Sequence, residues 1–211
     1  MKLPMKFPLA TAAFAAMLPA MAQAQDRFPP LQPDQMSPEQ RQVANDIVAG
    51  PRGALAGPFN AWLRSPPLAD RLQKVGEYVR FHSSIPHRLN ELAILVTARA
   101  WSADYEWWAH YQIAMKAGLD AKIADAIAAG RRPEGMSEDE RIVYDFCAEL
   151  QHQKAVGDAT FQAAKARFGE QGVVDLIGVT GYYTAVAMTL NVARVPVPPG
   201  TSVPPLASAP P

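Results

Sequence analysis

The chain has 211 residues, of which 49% are hydrophobic, 19% charged and 9% aromatic. That balance suits one folded domain with a sizeable core and excludes a disordered or collagen-like chain. Twenty basic and twenty acidic side chains cancel, so neither a net field nor a polybasic cluster draws the protein toward nucleic acid or anionic lipid, and the single cysteine, Cys147, excludes a disulfide framework and a two-cysteine redox centre.

Lys2 and Lys6 precede an apolar stretch over residues 7–22 that ends in Ala20-Met21-Ala22 and Ala22-Gln23-Ala24. A positive start, a short apolar middle and a small-x-small site predict a cleavable signal peptide over residues 1–24, and hence a secreted or periplasmic protein. Pro8, Pro19 and the shortness of the stretch argue against an anchor left in the membrane. Residues 25–36 read as an extended lead-in, residues 37–195 as a single helical domain, and residues 196–211, with seven prolines, as a Pro-rich tail that can form neither helix nor paired strand.

Within the domain the pattern is helix after helix. Ser37-Pro38-Glu39-Gln40 supplies an N-cap hydroxyl, a proline at the first helical position and a Gln three residues after the cap, and Gly50-Pro51 stops the helix it opens. A helix over about 67–81 places Leu68, Leu72, Val75 and Val79 at spacings of three and four, predicted to face the core. Pro86 opens the next helix, which from Leu89 to Ala100 is apolar almost all round except for Glu91 and Arg99, so it is expected to be buried on several sides. Ser102 or Asp104 can cap a helix through Lys116, and Asp120 one that stops at Gly130. Ser137 to Glu140 form a capping box ahead of the stripe Ile142, Val143, Phe146 and Leu150, and Asp158 caps a short helix ending near Gly169. The last helix, about 170–193, has no charge from Leu176 to Ala193, but its Thr, Tyr, Gly and Asn residues suit a core helix or a subunit interface better than lipid. No alternating strand pattern of useful length occurs, so the fold class is all-α.

The chemistry-bearing residues concentrate between Glu91 and His110. Glu106 and His110 are four apart and share a helix face, and a short turn near Ser102 would fold Glu91 back beside them. Tyr105, Trp107 and Trp108 make the surroundings apolar, where an ionisable trio is costly unless it is used or mutually satisfied. Arg99 is a candidate for binding a substrate carboxylate through its two-pronged guanidinium, with a structural ion pair as the other reading. Eight positions, roughly 12 Å along a helix, separate it from Glu91. Two Glu and one His would also suit zinc, iron or manganese, although no His-Glu-x-x-His pattern accompanies them. His82, His87 and His152 read as surface or capping histidines.

The segment around Tyr105-Glu106-Trp107-Trp108-Ala109-His110, together with Ala117-Gly118-Leu119, Phe168-Gly169-Glu170 and Gly181-Tyr182-Tyr183, resembles the carboxymuconolactone decarboxylase family. The resemblance implies an alkylhydroperoxidase D-like helical bundle with no significant sheet, often assembled as a homo-oligomer, a trimer or hexamer. The redox branch of that family carries Glu, then Cys-x-x-Cys twelve residues later, then His four beyond the second Cys. Here Glu91 and His110 hold the Glu and His places, while Ala103 and Glu106 stand where the cysteines would be. Dithiol peroxide reduction is therefore not implied, because it needs a thiolate attacker and a second thiol to resolve it.

What the resemblance leaves is lyase-like chemistry: proton transfer coupled to decarboxylation, or isomerisation, of a small carboxylated lactone or keto acid. His110 is the expected proton carrier, with Glu106 or Glu91 setting its tautomer and charge. Tyr105, Trp107, Trp108 and Arg99 are the expected substrate-binding residues, and neither cofactor nor metal is required. A non-catalytic small-ligand-binding protein of the same fold is the alternative. The expected partner is a small carboxylated molecule, with no nucleic acid and, after signal cleavage, no membrane.

Overall fold

Capping chemistry sets the helix starts in the computed structural model, which describes residues 26–207; the expected signal segment lies outside the described residues. Among those residues there are eight α-helices and no strand: α1 (Pro38–Ala49), α2 (Phe59–Trp62), α3 (Pro66–Glu77), α4 (His87–Ala100), α5 (Asp104–Lys116), α6 (Ala121–Ala128), α7 (Glu138–Gln153) and α8 (Asp158–Ala193). Capping boxes at Ser37/Gln40 and Ser137/Glu140 open α1 and α7, and the Asp120 carboxylate accepts from the Lys122 N–H to open α6. Two expected caps are absent. Ala103 and Gly157 occupy the N-cap positions of α5 and α8, and Asp104 and Asp158 are instead the first residues inside, where a negative charge still meets the helix dipole.

The core is built around α4. Its residues from Leu89 to Ala98 are all buried, and it packs against α5, α6, α7 and α8. A helix with neighbours on every side loses no solvation by being apolar all round, which is what its composition anticipated. The turn after it is tight. Trp101 caps α4, Ser102 takes a left-handed conformation (φ 46°), and the Ala103 N–H returns to the Ala98 carbonyl at 2.9 Å. Ala103 is fully buried, so α5 starts directly against the end of α4. In such a helical hairpin, residues equally far from the turn face each other, which brings position 110 opposite position 91.

α8 contains one break, at Gly169 (φ 72°, ψ −179°), where an extended left-handed backbone is open to glycine and costly for other residues. Segments 158–168 and 170–193 are thus two helices, as expected. The second is long and apolar enough to cross a membrane by length and composition, but it packs along α3, α4, α5 and α7. Its inner side carries Leu176, Val179, Tyr182, Tyr183, Val186 and Leu190, and its outer side exposes Val174, Ile177, Met188 and Val192.

α3 follows the expected stripe only in part: Val79, in the turn after it, is buried and Leu72 packs partly buried against the core, but the other two residues do not. Leu68 and Val75 are about half exposed, at 49% and 47%, while Ala69, Gln73 and Gly76 are buried. Small residues face inward because α3 lies close to α8: a Cβ on Gly76 would stand 2.1 Å from the Tyr182 hydroxyl and 2.4 Å from an Arg52 guanidinium nitrogen. The expected α-helix to about Phe81 also ends early, at Glu77, and continues as a π-helical turn, Tyr78–His82. This turn is fastened to α8 by the buried Asp175, whose carboxylate accepts from the Tyr78 hydroxyl at 3.0 Å and from the N–H and hydroxyl of Ser84 at 2.8 and 2.6 Å.

Both ends of the described chain lie on the bundle. The Arg27 N–H donates to the Ala193 carbonyl at 2.8 Å, and the Pro-rich tail, without regular structure, accepts from the Trp107 indole at Pro204 (2.8 Å) and donates from Ala207 to the Ala128 carbonyl (2.9 Å). Cys147 is fully buried beside the Thr180 hydroxyl (3.4 Å), and burial pushes its thiol up to about 12. It behaves as a small apolar residue rather than a nucleophile.

Replacing Asp175 by Ala removes three hydrogen bonds to a buried carboxylate and leaves their donors unsatisfied. Urea denaturation should show a loss of about 2–4 kcal/mol, and hydrogen exchange should rise first in the 78–84 segment.

Candidate active site

The hairpin of α4 and α5 places a charged pair inside the core. The Glu91 side chain is completely buried, and its Oε2 lies 2.8 Å from His110 Nδ1. Its second oxygen, Oε1, lies 3.4 Å from Nε2 of His87, one turn earlier on α4. A carboxylate at Nδ1 fixes the imidazole's tautomer and orientation, so Nδ1 carries the proton and Nε2 is left for the other side of the ring. That side is a cavity of about 400 Å³, which His110 lines and Glu91 does not. Of the two acids considered for setting the tautomer, Glu91 does so from behind the ring. Tyr183 completes the mount, its ring meeting the imidazole edge to face at 4.8 Å.

Glu106, one turn before His110 on α5, also lines the cavity. It is 1% exposed, and neither carboxyl oxygen has a hydrogen-bond partner among the described residues. Burial alone drives its pKa well above the ordinary carboxylate range. An isolated buried carboxylate is costly in a medium that cannot solvate it, so Glu106 is held as the neutral acid. A neutral carboxylic acid can donate a hydrogen bond or a proton, which a carboxylate cannot.

The cavity's cations come from positions that sequence reasoning did not single out. Arg52, from the loop before α2, and Arg80, from the π turn, both line it, together with Lys116 at the end of α5. Arg52 lies over the Phe59 ring (5.0 Å) and reaches the Tyr182 hydroxyl at 3.4 Å, while Arg80 lies over Phe81 (5.1 Å). Neither forms an ion pair among the described residues, leaving two guanidinium groups available to an anion. Tyr182 and Tyr183 close the cavity from α8. Burial pushes the Tyr182 phenol up to about 12 and raises that of Tyr183 well above the ordinary phenol value, so both remain protonated donors, and the Tyr183 hydroxyl has no partner among the described residues.

The remaining sequence candidates divide. Tyr105 and Trp108 line the cavity and pack edge to face at 5.3 Å, and the buried Trp108 indole N–H has no partner. Trp107, expected on the substrate side, lies outside it: 100° round the helix from its neighbour, it is buried in the core and donates to the tail at Pro204. Arg99, the expected carboxylate binder, is also outside. It runs to the turn after α6, where its guanidinium stands 2.8 Å from the place a Cβ of Gly130 would take. The guanidinium groups that reach the cavity are instead those of Arg52 and Arg80. No group of three or more His, Cys, Asp or Glu side chains able to hold a metal ion occurs among the described residues.

The sequence model described as the carboxymuconolactone decarboxylase family matches residues 66–141. That span runs from the start of α3 into α7 and includes Arg80, Glu91, Glu106, His110 and Lys116, but neither Arg52 nor the two tyrosines of α8. No match to the chain is found among curated proteins.

A neutral Glu106 makes stability fall as pH rises. Its carboxyl stays protonated in the fold and ionises in the unfolded chain above pH about 4.5, so the unfolded state binds fewer protons and stability drops by up to about 1.4 kcal/mol per pH unit. Glu106→Gln abolishes this contribution. Urea melts across pH 5–8 should show the variant gaining on the wild type as pH increases. A second variant reads the cavity wall: Gly76→Ala adds a better helix former, yet its Cβ collides with Tyr182 and Arg52. Its Tm should therefore fall rather than rise.

Proposed function

We propose that this chain, whose residues 66–141 match the carboxymuconolactone decarboxylase family, is an enzyme of the carboxy-lyase type. It transfers a proton during decarboxylation, or isomerisation, of a small carboxylated lactone or keto acid. The observation that carries the reading is the division of one cavity's lining into two arginines that form no ion pair among the described residues, Arg52 and Arg80, and proton-handling groups, His110 backed by Glu91 and a Glu106 whose carboxyl pKa burial raises.

The roles follow from that division. Arg52 and Arg80 hold the ligand's anionic end, and the apolar walls of Phe59, Trp108, Ile113 and Val186 exclude water around the rest. When the bond to a carboxylate breaks, carbon dioxide leaves and the electron pair remains on carbon, spread toward the neighbouring carbonyl. Glu106 donates a hydrogen bond to that oxygen as charge develops there, in the way a carboxylic acid kept neutral by an apolar site stabilises an enolate. His110 delivers the proton from Nε2 to the carbon, and the Glu91 carboxylate stabilises the imidazolium that precedes delivery. Isomerisation uses the same groups, with His110 removing a proton from one carbon and returning it to another.

Two further parts of the proposal rest on other features. The exposed apolar side of α8, with Val174, Ile177, Met188 and Val192, supports assembly into a homo-oligomer. The charge and apolar pattern of residues 1–24 supports export, with the activity outside the cytoplasm.

The test is a panel of small lactones and keto acids turned over in heavy water by wild-type protein, His110→Ala and Glu106→Gln. Wild type should release product with solvent deuterium at the carbon that lost the carboxylate. His110→Ala should lose about 10²- to 10⁴-fold in rate while still binding the ligand. A wild-type protein that binds panel members in the cavity but turns over none would assign the alternative, a small-ligand-binding protein.

A further inference from the structure

His87 stands in the sequence as a surface histidine beside a loop, but its position in the fold is specific. It lies at the first residue of α4, its side chain 57% exposed, with Nε2 3.4 Å from Glu91 Oε1. The other oxygen of the same fully buried carboxylate bonds His110 Nδ1 at 2.8 Å. One carboxylate therefore hydrogen-bonds the cavity imidazole through one oxygen and, through the other, which has no hydrogen-bond partner, stands within ion-pair distance of an imidazole in contact with solvent. We infer that His87 is a positioning residue for His110: through Glu91 it orients the cavity imidazole from the protein surface and makes that ring's hold on its proton depend on the charge outside.

Glu91 is a single negative charge with two oxygens. Its side chain is held so that one oxygen points along α4 to position 87, four residues back, and the other across the hairpin to α5. A proton on either imidazole is stabilised by that charge, and a proton on both must share it. Protonation of His87 thus weakens the attraction of Glu91 for a proton on His110, and the reverse holds equally, since coupling between two sites is reciprocal. The other groups facing this set are few. On the cavity side, burial raises the Glu106 carboxyl of α5 and the Tyr182 and Tyr183 phenols of α8, with Tyr183 in edge contact with His110, and Arg52, Arg80 and Lys116 bring positive charge. Arg88, next to His87, is occupied by Glu140 of α7. Imidazole is the side-chain type that ordinarily changes charge near neutrality, and His87 and His110 are the two imidazoles of this set, so each is a variable the other feels. The consequence for rate rests on His110 being the proton carrier proposed above, whereas the coupling itself does not.

The experiment needs no substrate. Imidazole nitrogens are followed by long-range proton–nitrogen correlation spectra from pH 5 to 9 in wild type, His87→Gln, His87→Ala and His110→Gln. In wild type, neutral His110 should carry its proton on Nδ1. In His87→Gln and His87→Ala, His110 should take up its second proton at higher pH than in wild type, by roughly half a unit or threefold in affinity. In His110→Gln, the same upward movement should appear at His87. The Gln variant retains a hydrogen-bond donor toward Glu91, so it reads charge coupling even if the Ala variant loses packing. Unchanged or lower midpoints at both histidines would overturn the inference, as would neutral His110 protonated on Nε2. Because these spectra are taken on ligand-free protein, a failed substrate panel leaves this result standing, and a failed coupling leaves the panel result standing.

Discussion

A buried carboxylate with no exposure must have its charge met within the fold, and Glu91 is the point on which the rest of the site depends. It sits in the middle of α4, the helix enclosed by four others, and its charge is answered by His110 across the α4–α5 hairpin and His87 along α4. Removing one partner of such a pair leaves a buried charge uncompensated, which is far more costly than the pair's net contribution. The tight turn through Trp101, Ser102 and Ala103, with its left-handed Ser102, sets the register that makes the pair meet. Fold and site thus share one constraint, since a slip in the hairpin would separate the two side chains and strand the carboxylate.

Around that pair the cavity accumulates polar groups whose hydrogen-bonding capacity the protein leaves unused. Both oxygens of Glu106, the Trp108 indole N–H, the Tyr183 hydroxyl and Nε of Arg52 have no partner among the described residues. Buried polar atoms are usually satisfied, and each exception costs free energy in the folded protein. Five such atoms belong to residues lining one cavity, with two guanidinium groups not engaged by any acid, which is the arrangement expected where a ligand supplies the missing partners. Their cost is offset by the apolar packing of α4, α7 and α8 beneath them, and Asp175 holds the π turn in place so that Arg80 stays at the cavity.

The helical architecture was legible because it is written in local terms: capping boxes at Ser37 and Ser137, glycine stops at Gly118, Gly130 and Gly169, and the uninterrupted apolar run of α4. Glu91, Glu106 and His110 were legible as well, because helical spacing and a short turn bring them near one another whatever surrounds them. The α3 stripe misled at Leu68 and Val75 because spacings of three and four define a face without saying how far round it is inward. There the inward side is the one with Ala69 and Gly76, chosen by the close approach of Tyr182 and Arg52. Arg52 and Arg80 carried no signal, since an arginine in a Pro-Arg-Gly loop or at a helix end looks like any solvated cation.

Residue order alone determined the helices other than the short α2, their order, the thiol-free character of the site and the acid-and-imidazole set at its centre. These depend on neighbours within a few turns, where backbone geometry dictates who can meet. Tertiary packing decided which of two adjacent tryptophans faces the cavity, which arginines reach it, which acid pairs with His110 and which is left without a partner. Such choices turn on desolvation and on approach between segments far apart in the chain, and neither exists until the helices have docked.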